Sequence, residues 1–320
     1  MWFQVISVSF LISLLNFRHI QLFLLVHVIS VTGNLLVILA VIFDPNRNLR
    51  SRFNFLVANL AAADLIVGVY ALPMSVEFHI RESMTRLPIA STPLQRDHAR
   101  RIAYFLSCTA SLLSLAALAR DRFIAIKEPL KYRTEMNTKQ AAMVSFFIWL
   151  VSSGLPFLYF QIGFLRYFFV FVNTAVVTTF IVLCVTNAKV SRHFKSQVKN
   201  CGALHEGEKN DSDRAKIRAI EWQKRITKTF LIMLALYISC FLPTLILVYV
   251  ISFCANCNCA FIHLARDINY NLVMANSSMN PFVFAWRLER YRKAFVKILR
   301  CQRWVPSETM PSTSVQETRL

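Results

Sequence analysis

FNFLVANLAAADLIVGVYALPMSV, residues 53–76, is a 24-residue apolar run with a single carboxylate, Asp64, at its middle. A helix crosses the hydrocarbon of a bilayer with about 20 apolar residues, whereas a barrel strand needs only about ten. The run therefore reads as a membrane-spanning helix. Six more of the same kind surround it, over 22–43, 99–126, 141–159, 164–185, 230–253 and 262–286. The fold class that follows is all-α, a seven-transmembrane helix bundle. Composition agrees: 56% of the 320 residues are hydrophobic and 17% charged, where a soluble domain is nearer a quarter charged.

Around the bundle the chain divides into an apolar stretch over 1–20, the helical domain over 21–286 with a polar connection at 190–225, a basic amphipathic segment over 287–300, and a tail over 301–320. The stretch 1–20 reads as a short N-terminus, an extension of the first helix, or a signal-like segment. The connection at 190–225 mixes charges and holds Gly202 and Gly207, the pattern of a flexible loop. Over 287–300, Tyr291, Phe295, Ile298 and Leu299 fall on one helical face and basic residues on the other, so this helix is expected to lie on the inner leaflet. The formal charge of +19 comes from Lys and Arg between apolar runs rather than from one basic face, which excludes nucleic acid as partner and points to membrane lipid. Basic residues follow the first, third and fifth runs, including Arg52, Lys127 and Arg192. The positive-inside rule makes those connections cytoplasmic and the N-terminus extracellular.

Asp64 is an ionisable group at membrane depth, and such groups mark function by default. Asn34, Ser111, Asn276, Ser277 and Asn280 lie at similar depth in other runs. Oxygen ligands around one carboxylate suit a hard monovalent cation such as sodium. A protonated Asp64 in a polar network that ties helices together is the other reading, and both stand at this point. At the far end of the third run, Arg120-Asp121-Arg122-Phe123 can be an interfacial anchor, or a pair in which Asp121 holds Arg122 until a conformational change frees it. Pro243 and Pro281 each remove a helical hydrogen bond and create hinge candidates.

In this order and spacing the residues resemble the rhodopsin-like (class A) G-protein-coupled receptors from Gly33-Asn34 to Cys301. The motifs are Gly33-Asn34, Asn59-Leu60 through Asp64, Asp121-Arg122-Phe123, Trp149, Cys240 through Pro243, and Asn276 through Phe284. The resemblance implies a sodium site at Asp64, Ser111, Asn276, Ser277 and Asn280, and a coupling switch at Asp121, Arg122, Phe123, Phe241, Pro243, Asn280, Pro281 and Phe284. It also implies heterotrimeric G protein and arrestin as partners, a plasma-membrane location, and no cofactor beyond a possible allosteric sodium ion. Departures are equally specific. Phe123 and Phe284 replace the tyrosines that usually close their motifs, Phe241 replaces Trp, no proline lies in the fifth run, and Gln223 stands where an acid usually pairs with Arg122. Raised basal activity is therefore expected. Asp97 occupies the position of the usual third-helix cysteine.

A short second outer connection and Cys254, Cys257 and Cys259 in the third resemble melanocortin receptors, and the end of the seventh run resembles the adenosine group. The three cysteines read as a local disulfide in preference to a metal site. By the resemblance, the ligand pocket comprises Tyr104, Phe105, Cys108, Phe241, Thr244, Leu245, Val248, Tyr270 and Met274. Tyr104 stands where amine receptors carry an aspartate and Met274 where retinal would attach, which disfavours amines and retinal. The expectation is an apolar aromatic pocket with few polar handles, for a lipid, a hydrophobic small molecule or a short peptide. Cys301 is a palmitoylation candidate, and Thr318 and Leu320 give the carboxyl end the form captured by PDZ domains. The alternatives are a seven-helix transporter, against which stands the absence of an inverted repeat, and a non-coupling receptor. No constellation of an enzyme is present.

Overall fold

The computed structural model describes residues 2–46, 49, 51–85, 94–128, 132, 137–202, 211–254 and 259–300, and among these it contains helices and no strand. The first span is α1, Trp2–Phe43. The second is α2, Arg52–Ile66, a π-helical turn over Val67–Ala71, and α3, Leu72–Thr85. The third is α4, Leu94–Lys127, and the fourth is α5, Thr138–Gly154, which runs through a 3-10 turn over Leu155–Leu158 into α6, Tyr159–Ile162. The fifth is α7, Phe164–Phe171, a π turn over Val172–Val176, and α8, Val177–Gly202. The sixth is α9, Asp211–Phe253, the seventh is α10, Cys259–Arg287, and α11, Glu289–Leu299, follows.

Six of these spans are long and apolar enough on their own to cross a membrane. The seventh is more polar because it turns Asp267, Asn269, Asn271, Asn276, Ser277 and Asn280 inward, while Ile262, Ile268, Phe282 and Trp286 stay exposed. It packs against the first and sixth spans and closes the bundle. A lipid-facing helix with a polar inner stripe is what a membrane core containing ionisable groups requires. Side chains such as Phe146, Phe147, Leu165 and Phe253 are exposed on the outer surface of the bundle, where the solvent is hydrocarbon.

Local sequence explains the junctions. Ser51 caps the second span by accepting from Asn54 N at 3.3 Å, and Asn137 caps the fourth by accepting from Gln140 N at 3.1 Å. Gly163, at φ +80, makes the turn between fourth and fifth spans in one residue, a conformation that costs an L side chain strain. In the second span the π turn leaves the Gly68 carbonyl to His27 Nδ1 at 2.7 Å, and a Cβ on Gly68 would lie 2.8 Å from Val31. Close helix contact here depends on hydrogen as the side chain.

Two expectations change. Where 190–225 reads as a flexible loop, α8 runs on to Gly202 and α9 begins at Asp211; the Lys, Gln, Arg and Ala residues of this polar stretch are good helix formers. In α11, Tyr291, Ala294 and Phe295 are buried but Leu299 is 67% exposed, since a helix this short turns its last residue past the contact. The helix begins at Glu289 rather than 287. Tyr291 anchors it by donating to Asn54 Oδ1 at 3.0 Å.

Candidate functional site

Asp64 is wholly buried. Asn280 Nδ2 donates to its Oδ2 at 2.7 Å, and the Ser111 and Ser277 hydroxyls stand beside the same carboxylate. Asn276 is buried one turn before Asn280. Pro281 and Gly33 explain why the seventh span can come so near. Pro281 has no N–H for the carbonyl of Ser277, and Asn34 Nδ2 donates to that carbonyl instead at 3.1 Å. A Cβ on Gly33 would lie 2.9 Å from Pro281 Cβ and Cγ. Asp64 Oδ1, Ser111 Oγ and Asn34 Oδ1 are buried with no hydrogen-bond partner. Unpaired oxygens around a carboxylate are costly unless something donates to them or is held by them, so the donor set fits a hard cation. Nearby, Asn59 joins three spans, donating to Ser114 Oγ at 2.8 Å and accepting from Trp149 Nε1 at 2.9 Å.

At one end of the third span, Asp121 holds Arg122 by an ion pair of 2.6 Å. Two residues that the sequence pattern does not link to this pair complete the cluster. Arg52 Nε pairs with Asp121 Oδ1 at 2.8 Å while its Nη1 donates to Gln140 at 2.6 Å. Tyr132 OH donates to Asp121 Oδ2 at 2.9 Å and accepts from Arg122 Nη2 at 2.8 Å. Burial pushes the Tyr132 phenol up to about 12, so it keeps its proton at neutral pH. The Arg122 guanidinium also lies 4.1 Å above the Phe53 ring, which touches Phe230 of the sixth span. Phe284 is buried and stacks on Tyr291, and Phe123 lies under Lys189. Pro243 sits inside α9 and Pro281 inside α10.

About 30 Å away along the third span, a cavity of about 240 Å³ opens between the third, fifth, sixth and seventh spans. Tyr104, Phe164, Phe168 and Tyr270 form its aromatic walls, and Asp97, Arg100, Arg101, Arg266 and Asn269 face it. Tyr104 and Tyr270 stack at 5.0 Å, joining the third and seventh spans at its floor.

The profile of the 7 transmembrane receptor (rhodopsin family) matches residues 33–166 and 157–284. The chain belongs to that family. It is a multi-pass membrane receptor of the G-protein-coupled class, and not an enzyme. Melanocortin receptor 5 of Homo sapiens is 26% identical, over 88% of this chain and 84% of its own length. Trace amine-associated receptor 7f of Mus musculus is 26% identical, over 83% and 78%. A D(5)-like dopamine receptor of Takifugu rubripes is 24% identical, over 88% and 66%. Melanocortin and amine receptors thus match this chain to the same degree.

In this receptor the cavity sits further toward the Asp97 end than the expected pocket. Tyr104, Val248 and Tyr270 line it, but Phe105, Cys108, Phe241, Thr244 and Met274 are closed core, each at most 5% exposed, and Leu245 packs against that core. Phe105 fills the space with ring contacts to Tyr167 and Phe171 at 4.6 and 5.2 Å. Nor is the cavity poor in polar handles: Arg100 and Arg101 pair with Asp97, and Arg266 pairs with Asp267 at 2.7 Å. The signal was present in Arg100-Arg101, which lies inside the apolar run rather than before it. Cys254 is disulfide-bonded; Cys257, Cys301, Thr318, Leu320 and the Cys259 side chain lie outside the described residues. A π turn at Val172–Val176, with its carbonyl of Val176 accepting from Tyr237 OH at 2.7 Å, distorts the fifth span in the absence of proline.

Proposed function

We propose that this receptor faces its Asp97 end outward, takes a ligand in the cavity there, and signals by releasing Arg122 at the cytoplasmic end to a heterotrimeric G protein. The observation that supports the reading is the sealing of Arg122 by Asp121, Tyr132 and Phe53, beside a sixth span that carries Pro243. Movement of that span about Pro243 withdraws Phe230 from Phe53 and opens a crevice for a partner helix, with Arg225 and Lys228 at its rim. Sodium, held by Asp64 with Ser111, Ser277 and the Asn276 and Asn280 amides, favours the closed arrangement by occupying oxygens that are otherwise unpaired. Arrestin shares the cytoplasmic crevice, Cys301 carries an acyl chain that pins α11 to the inner leaflet, and the Thr318 to Leu320 end recruits a PDZ domain.

The test is cyclic-AMP and calcium signalling in cells expressing the chain beside Arg122→Ala at matched surface level. Ligand-free or ligand-driven signal that the substitution abolishes supports coupling. Equal signal from the two chains, or silence from the first despite surface expression, counts against it.

A further inference from the structure

We infer that the outer cavity takes a small amphiphilic acid, a molecule with one carboxylate or phosphate head and a short apolar body. The inference rests on the reading of this cavity as the ligand site. Its polar lining has one sign in excess. Together with the shallow cleft that adjoins it, the cavity presents Arg81, Arg96, Arg100, Arg101 and Arg266 against Glu77 and Asp97. Even with Asp267, which pairs with Arg266 from outside the lining, five guanidiniums face three carboxylates. Asp97 is already divided between Arg100 and Arg101, and Glu77 between Arg81 and Arg96 at 2.7 Å each. Each carboxylate of the described lining already has two guanidinium partners, whereas the Arg101 Nε is buried and without a hydrogen-bond partner. Asn269, 6% exposed and lining the same cavity, has an Oδ1 equally without a partner, a place for a hydroxyl or amide donor on the ligand.

The walls define the rest of the molecule. Arg101 lies 4.1 Å over the Phe164 ring and Arg100 lies 4.7 Å over Phe78, so aromatic faces and Asp97 fix the two guanidiniums, and the Arg101 Nε is the donor left for an anion. Between them Phe168, Val248, Ile251 and Ile262 offer only carbon. At about 240 Å³ the cavity exceeds the ~150 Å³ that accepts a benzene ring, so it admits a medium-chain or aryl acid, or the head end of an acidic lipid.

The test uses the purified full chain in nanodiscs of zwitterionic lipid, reading the shift in thermal unfolding midpoint on titration with octanoate, octyl phosphate, octylamine and octanol below their micellar range. Both acids are expected to raise the midpoint and the amine and alcohol to leave it. Arg101→Gln and Arg266→Gln each remove a charge-assisted hydrogen bond and are expected to weaken the acids' apparent affinity about ten-fold or more; Arg300→Gln, exposed at the other end of the bundle, is expected to leave that affinity unchanged. A raised midpoint without added acid in discs containing phosphatidylserine, lost in Arg101→Gln, makes the source a lipid headgroup; a response only to added acid makes it a free one. Octylamine or octanol equalling octanoate, no shift with either acid, or unchanged acid affinity in both Gln variants overturns the inference. Because the readout is binding, acids that stabilise the receptor without evoking a G-protein signal uphold the inference while counting against the coupling described above.

Discussion

Tyr132→Phe isolates the clasp on Arg122, because it deletes one oxygen and leaves the ring. That oxygen makes two bonds to charged groups, at 2.8 Å to Arg122 and 2.9 Å to Asp121. Bonds of this kind contribute about 1.5–3 kcal/mol each when buried. The site is only partly buried, and Arg122 retains its ion pair with Asp121, so a net loss of about 2 kcal/mol from the closed state is the appropriate scale. If the open state makes neither bond, this shifts the equilibrium about 30-fold. A receptor open about 1% of the time becomes open about 20% of the time. The assay is ligand-free signalling at matched surface expression, with Arg122→Ala as the silent control. A several-fold rise is expected. Basal signal unchanged refutes the clasp, and basal signal reduced shows that the Tyr132 hydroxyl belongs to the open state instead. The sign of the pH dependence also follows: burial raises this phenol from 10 to about 12, so its contribution to the fold is complete below pH 10 and is lost as pH climbs toward 12. Basal activity between pH 6 and 8 should carry no trace of its titration.

The remaining predictions concern the core. Gly33→Ala puts a methyl 2.9 Å from the Pro281 ring, whereas Gly154 has nothing within 4 Å; thermal unfolding in detergent should show the first destabilised by about 1–3 kcal/mol and Gly154→Ala unchanged or slightly stabilised by up to about 1 kcal/mol. Asn34→Ala leaves the Ser277 carbonyl without its donor and should cost about 1–3 kcal/mol in the same assay, with an unchanged midpoint arguing that water replaces the amide. Exchange of potassium for sodium at constant ionic strength should raise the midpoint of the receptor and leave Asp64→Asn unmoved; equal responses of the two chains exclude a cation at Asp64. With Gln223 where an acid usually pairs with Arg122, ligand-free signal should exceed that of an empty-vector control, and Gln223→Glu should lower it.

Membrane passage and the Asp64 cluster were legible because both depend on what is rare in a sequence. A carboxylate inside a 24-residue apolar run, or an asparagine before a proline in another, has few explanations, and the short contact from Asn280 to Asp64 follows from them. Arg52 and Tyr132 were not legible. Arginines and tyrosines are common at the ends of membrane helices, and nothing in the order of residues says that the chain beyond Glu128 folds back onto Asp121. Tyr132 nonetheless reaches it, with its N donating to Glu128 O at 2.9 Å. The expected ligand pocket overlaps the cavity only in part, for a different reason. Position along a helix gives depth, but whether that depth holds space depends on side-chain volumes from other helices. Here Phe105, Tyr167 and Phe171 fill the level at which a pocket was expected, and the opening moves outward to the arginines.

That displacement bears on how a ligand could reach Arg122. Nothing bound among the arginines touches the Asp64 cluster, so any influence must pass through elements common to both. The seventh span is one: it carries Arg266 and Tyr270 at the cavity, Asn276 and Asn280 at Asp64, and Phe284 stacked on Tyr291 beyond. The third is another, with Arg101 and Tyr104 at the cavity, Ser111 at the centre and Asp121-Arg122 at the far end. Their junction at the cavity floor is the Tyr104–Tyr270 stack. Contiguity of this kind is a geometric warrant, and coupling also requires two discrete arrangements that the ligand tells apart. The structure offers the elements for two: a closed core that places Asp64 against Asn280, and a proline in each of the sixth and seventh spans about which the far ends can swing. An acid drawing Arg101 and Arg266 together would pull the third and seventh spans toward each other at the outer end. The Asp64 cluster lies between those spans, so its unpaired oxygens are where that strain would first be felt.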